Sequence, residues 1–350
     1  MKKLSLFLAA TTCAAAGAFA NEPAVSLEPH RRHEGGTLSI YYENDLFAGT
    51  DRYYTNGTKI SYTTPNLNRF EDDVFSRPFA PAIGFLPYVN RPNYQRNFAI
   101  SIGQNMYTPD NTESATLIES DRPYAGWLYL GFGMIWKNQF VRNALTFEVG
   151  MVGPASYAEE AQRLIHDMRG IDVPKGWDNQ LRNEIGAMLG YERTWRWPYI
   201  ENRAGFNYEV LPFAGATLGN VMTYASAGVE LRYGFNLPDD FGTPTLAPTS
   251  TTNTPVEGNL EADRTRYDFG IYAFFRAEAR AVARNIFLDG NTFQDSHSVD
   301  KRWFVSNLSA GISMNYHNTK ITYAGVYRTE EFHGQVEPQI FGSITLSWQF

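Results

Sequence analysis

The sequence predicts an all-β protein, a twelve-stranded antiparallel transmembrane β-barrel with a short helix in one extracellular loop. Three observations carry this. Short segments of apolar/polar alternation recur from Thr37 to the C-terminus. The chain is rich in aromatics (24 Phe, 21 Tyr, 7 Trp) and Gly (29) at negative mean hydropathy, which suits an apolar outer belt around a polar lumen. Its last segment is amphipathic and ends on the terminal aromatic Phe350.

The N-terminus reads as a targeting segment. Lys2 and Lys3 precede an apolar run, and Ala18-Phe19-Ala20 supplies a cleavage signature, so residues 1–20 are expected to be a signal peptide and 21–350 one barrel domain. The only cysteine, Cys13, falls in the leader, so the mature chain carries no disulfide framework. Without the two leader lysines, 28 basic residues face 37 acidic ones, about −9, with no basic stripe for nucleic acid. A leader and an amphipathic last strand weigh against the competing soluble β-sandwich or lipocalin-like barrel.

In order along the chain, Leu38, Ile40 and Tyr42 share one face of strand 1, with Ser39, Tyr41, Glu43 and Asp45 on the other. Thr58, Ile60 and Tyr62 alternate likewise in strand 2, and Thr55 shares parity with Lys59, which predicts that Thr55 and Asp45 point to the polar side. Ten further strands begin near Asn97, Tyr124, Asn143, Asn183, Phe206, Met222, Asp268, Trp303, Thr319 and Gln339. Twelve is an even count, as closed barrels of this kind require, since an open sheet edge is not tolerated in lipid. With a periplasmic N-terminus the connections 46–53, 108–123 and 154–181 share the outer mouth, while 64–95 and 237–266 become unusually long periplasmic connections.

Chemistry is expected at that mouth. The turn from Tyr42 to Gly57 gathers Asn44, Asp45, Asp51, Thr55 and Asn56, oxygen-bearing groups suited to a hard cation such as calcium, although turn chemistry alone accounts equally well for the aspartates. In the loop after strand 5, Ser156 to Glu159 reads as a capping box and Gly170 as a helix stop. Between them Ala158, Ala161, Leu164, Ile165 and Met168 form an apolar stripe, and Gln162, Arg163, His166 and Arg169 a polar one. His166 taken alone is an ordinary surface histidine. A shared mouth with Asp45 and Thr55 raises it to a candidate base. No Gly-x-Ser-x-Gly elbow, His-Glu-x-x-His or Cys/His cluster offers another scheme, while a Ser–His pair stays open.

Several motifs together carry a family resemblance. Asn44-Asp45, Tyr54-Thr55-Asn56-Gly57, Gln104 to Pro109, Asp121 to Gly126, Val152-Gly153-Pro154 and the run from His166 to Gln180 resemble the outer-membrane lipid A 3′-O-deacylases. The likeness spans residues 37–195 and is looser beyond. It implies calcium-dependent hydrolysis of the ester carrying the 3′ acyloxyacyl group of lipid A or lipopolysaccharide in the bacterial outer membrane. His166 would be the general base and Asp45 the cation ligand, with Asn44 and Thr55 completing the site. Two departures stand out. Family members can carry a lysine in the loop after strand 3, but residues 108–120 contain none, leaving Arg122 or Arg163 to replace it. Gln104 has outward parity, so an inward role requires a bulge. An outer-membrane phospholipase and a non-enzymatic porin are the competing functions, and the chain is expected to be a monomer.

Overall fold

In a computed structural model the described residues are 35–45, 53–198, 205–243 and 268–350. Residues 1–20 and Asp51 lie outside them.

Among the described residues twelve strands form one closed antiparallel meander: β1 (Thr37–Asn44), β2 (Tyr53–Thr63), β3 (Gln95–Thr108), β4 (Ala125–Lys137), β5 (Val141–Val152), β6 (Glu184–Trp195), β7 (Phe206–Gly219), β8 (Met222–Phe235), β9 (Phe269–Asn285), β10 (Phe304–Tyr316), β11 (Thr319–Arg328) and β12 (Gln339–Gln349). β12 closes on β1 with Thr37 opposite Gln349 and Asn44 opposite Gly342. Closure leaves no unpaired ladder for hydrocarbon to desolvate. The strand count from alternation holds.

Register then sorts side chains by face. Ile40, Ile60, Ile102, Leu130, Leu189 and Leu346 point outward and remain exposed, a continuous apolar belt. At the end where β1 begins, taken as periplasmic, Tyr62 stacks on Phe350 and Phe206 lies against Tyr233, part of an aromatic girdle. The opposite parity is buried and polar: Ser39 meets Ser347 at 2.8 Å, and Lys59, Glu148, Arg142, Glu230 and Arg280 line the interior.

That interior is filled. The connection after β8 turns into the lumen through residues 237–243, where Asp240 takes Arg232 at 2.5 Å and Lys320 at 2.6 Å. Arg196 bridges Glu209 at 2.7 Å and Asp239 at 2.6 Å, and Arg232 also pairs with Glu209. Burial opposes ionisation of Asp240, yet Lys320 and Arg232 hold its carboxyl below the usual range. Higher in the lumen a cavity of only about 40 Å³ remains among Glu43, Arg276, Glu278 and Arg328. At the outer mouth a short helix, α3 (Ile286–Asp289), inserts Phe287, which stacks on Tyr107 at 4.0 Å. Arg122 crosses beneath it to Glu331 at 3.1 Å. Burial pushes the Glu331 pKa up, but Arg328 and Arg122 outweigh it and hold the group ionised.

The connection 64–95 is ordered, with a short helix α1 (Ala80–Ile83) packed on the outside of the wall. The connection after β8 is described only to residue 243.

Removing Asp240 takes the paired carboxylate from Lys320 and leaves Arg232 to Glu209 alone. Asp240→Ala is expected to cost about 3–5 kcal/mol, read as a lower temperature at which the compact barrel band disappears on semi-native gels. Because the folded pKa is depressed, the native carboxylate's stabilisation is fully present above the unfolded carboxylate range and is lost as pH falls below it.

Candidate active site

The site begins where alternation is broken. Tyr54 pairs with Tyr107 and Asn56 with Met106, leaving Thr55 as an extra residue in β2. Tyr54 stays inside, against Tyr107 and Phe341. At the bulge Thr55 turns to the outer cleft, its hydroxyl 2.8 Å from that of Thr108. This corrects the expected lumenal direction of Thr55, because parity cannot be counted through a bulge. The β3–β4 register runs through Gln104 without a shift, so the inward role that would have required a bulge does not arise. Gln104 keeps its outward parity, and its amide donates to the Ser156 carbonyl at 2.6 Å.

The helical loop after β5 folds down onto this outer wall rather than over the lumen. Helix α2 (Ala158–Arg169) starts at Tyr157, which has φ 54° and gives no side-chain cap, so the expected capping box does not form. Gly126 in β4 makes the approach possible: a Cβ there would stand 2.0 Å from Ser156 Oγ and 2.4 Å from Ala158 Cβ. Gly170, at φ 66°, ends the helix as expected.

The far side of α2 exposes apolar side chains alongside the charged Glu160, Arg163, Asp167 and Arg169. Gln162 and His166 are buried against the wall, while Leu164 and Met168 are 60% and 76% exposed. A helix laid on a lipid-facing wall has bilayer on its far side, so apolar exposure there follows.

Between helix and wall lies a cleft of about 390 Å³. Asn44, Thr55 and His166, three of the four sequence candidates, line it together with Tyr42, Gln104 and Gln162. The fourth, Asp45, directly follows β1, is fully buried and acts electrostatically on the Tyr42 phenol, as does Arg169. Beyond the end of β1 alternation no longer governs direction, so Asp45 is not bound to the lumenal face. Ile60, Ile102 and Leu128 of the outer belt supply the cleft's apolar end.

His166 is held in one tautomer. Gly170 turns the chain back, and the Asp172 carbonyl lies 2.6 Å from His166 Nδ1. A carbonyl can only accept, so Nδ1 carries the proton and Nε2 the basic lone pair. Gln162 is oriented by the same logic. Trp177 Nε1 donates to its Oε1 at 2.8 Å, which makes the NH2 end the donor end. Gln162 was on the predicted polar stripe, four residues before His166, but its i, i+4 relation to that histidine was the only signal for it.

Neither Arg122 nor Arg163 lines the cleft. Arg122 is buried in the mouth with Glu331 and over the Tyr107 ring, and Arg163 is an exposed partner of Glu159 at 2.8 Å. The described residues hold no group of three His, Cys, Asp or Glu able to bind a metal. Asp45, Asn44 and Thr55 offer oxygen donors alone, a set that fits a hard cation completing its shell with backbone carbonyls, water or substrate.

A closed barrel with an apolar belt, a filled lumen and a polar cleft on its outer wall defines an integral outer-membrane protein. The chain belongs to the family described as outer membrane protein LpxR, whose signature matches residues 4–350. Its fold is similar to that of LpxR from Salmonella typhimurium, with a TM-score of 0.71 and 19% identity, covering 90% of this chain and 100% of that one. The beta domain of the Bordetella autotransporter BrkA aligns over 91% and 100% of the two chains at 9% identity, with a TM-score of only 0.42. A comparison with curated proteins found no match.

Because Gly126 admits the helix, Gly126→Val is expected to lift α2 from the wall. Trypsin should then cut the folded protein at Arg163 and Arg169, sites resistant in the parent, while the heat-modifiable barrel persists.

Proposed function

We propose that the protein is a carboxylic ester hydrolase that removes the 3′-O-linked acyloxyacyl group from lipid A. One observation carries this reading: an imidazole with its Nδ1 locked to a carbonyl shares a lipid-facing cleft with oxygen donors. The acyl chain can remain in hydrocarbon against Ile60, Ile102 and Leu128 while the ester reaches the polar end. Membership of the LpxR family supports the same substrate.

In this mechanism His166 Nε2 takes a proton from water as the water oxygen bonds to the ester carbonyl carbon. The Gln162 NH2 group donates toward the developing oxyanion. Collapse breaks the bond between the carbonyl carbon and the sugar oxygen, and His166 returns its proton to that oxygen. The products are a sugar hydroxyl and a free acyloxyacyl acid. Asp45, with Asn44 and Thr55, would hold calcium, which when bound supplies Lewis-acid polarisation of the ester and charge neutralisation.

A porin is disfavoured by the ion-paired plug at Asp240 and the packed mouth. A phospholipase would share the base and differ in head group.

His166→Ala and Asp45→Ala should each lower lipid A deacylation by about 10²–10⁴-fold with the barrel intact, measured by mass spectrometry of lipid A and phospholipids from the same cells. Chelation should silence the parent enzyme and calcium restore it. Full activity in either variant contradicts the assignment, and phospholipid loss without a change in lipid A moves it to the phospholipase.

A further inference from the structure

We infer that residues 64–95 form a collar seated in the phospholipid of the periplasmic leaflet, with Val74, Phe75 and Phe85 as its lipid contacts. A long connection on the periplasmic side would ordinarily hang in water. This one packs back on the outside of the barrel. Phe70, Ile83 and Val89 bury against Phe98, Met134 and Trp136, all on the outward parity of β3 and β4.

The collar climbs well up the outer wall. Phe79 stacks on Phe98 at 5.6 Å and lies 5.4 Å from Phe132. Phe132 stands five residues above the periplasmic end of β4. At about 3.3 Å per residue and a tilt near 40°, that is roughly 12 Å up the wall from that end. Whatever covers this wall displaces lipid and must itself border lipid.

Its backbone is built for that setting. The segment has little regular structure, and irregular backbone at membrane depth is tolerated only where its polar groups are satisfied within the protein. Arg96, 4% exposed, supplies this by donating to the carbonyls of Val89, Asn68, Tyr94 and Arg91 at 2.6–2.8 Å. Trp136 Nε1 donates to the Pro87 carbonyl at 3.1 Å. On its far side the collar presents Val74 at 67%, Phe75 at 53% and Phe85 at 81% exposure. Its three arginines (69, 77, 91) are balanced by Glu71, Asp72 and Asp73, so the partner is zwitterionic phospholipid held by apolar contact rather than an anionic head group held by charge.

In a Cys13→Ser background, spin labels at Phe75→Cys and Phe85→Cys are placed in phosphatidylcholine vesicles, with Ile60→Cys as the lipid reference and Glu113→Cys as the water reference. The labels at 75 and 85 should favour oxygen over a water-soluble nickel chelate, as at 60. Water-like accessibility matching 113, or embedding that requires added anionic lipid, overturns the proposal. Independently of substitution, phosphatidylcholine with a diazirine in its acyl chains should cross-link the unmodified protein within residues 70–87. Adducts confined to the strands would overturn it equally.

Discussion

Closure of β12 onto β1 is the constraint on which everything else depends. In lipid every backbone donor and acceptor must be satisfied within the sheet, so the strands close, and closure locks each residue to one face. Apolar side chains face the bilayer and charged ones the interior. A polar site within reach of lipid therefore needs exceptions to alternation. The structure provides them at the bulged Thr55, at Asp45 just beyond β1, and at Gln104, whose outward amide is satisfied by the Ser156 carbonyl.

Interior and exterior divide the work. Ion pairs around Arg232, Glu209 and Asp240 occupy the lumen among the described residues. On the outside, a helix with buried Gln162 and His166 and exposed Leu164 and Met168 builds a cleft with one polar and one apolar end. The absence of a side chain at Gly126 is what lets helix and wall meet.

Much of this was legible in the sequence. Alternation located all twelve strands because each strand has one lipid face and one lumenal face, and Gly170 marked the helix end because a left-handed residue is needed there. Parity brought His166, Asn44 and Thr55 to one end of the barrel. It failed on the side for Thr55, which was expected inward, since the bulge leaves no mark in the pattern. The capping box at Ser156 was overridden by tertiary contact, where the chain turns sharply at Tyr157 to lie on the wall. Gln162 was visible only as a member of the polar stripe, and the Asp172 carbonyl not at all, because their orientations depend on Trp177 and on the backbone turn after Gly170. The collar at 64–95 looked like a mere excess of loop, since its packing surface belongs to strands distant in sequence.

The central claim is that substrate enters from the membrane side of the wall and not through the lumen. A lipid A analogue carrying a photoreactive group on its 3′ acyl chain, cross-linked in the His166→Ala protein and mapped by mass spectrometry, tests this directly. Adducts on Ile60, Ile102, Leu128 or Leu164 are the expected result. Adducts on Tyr54, Tyr107 or Phe341, which line the interior, would contradict it.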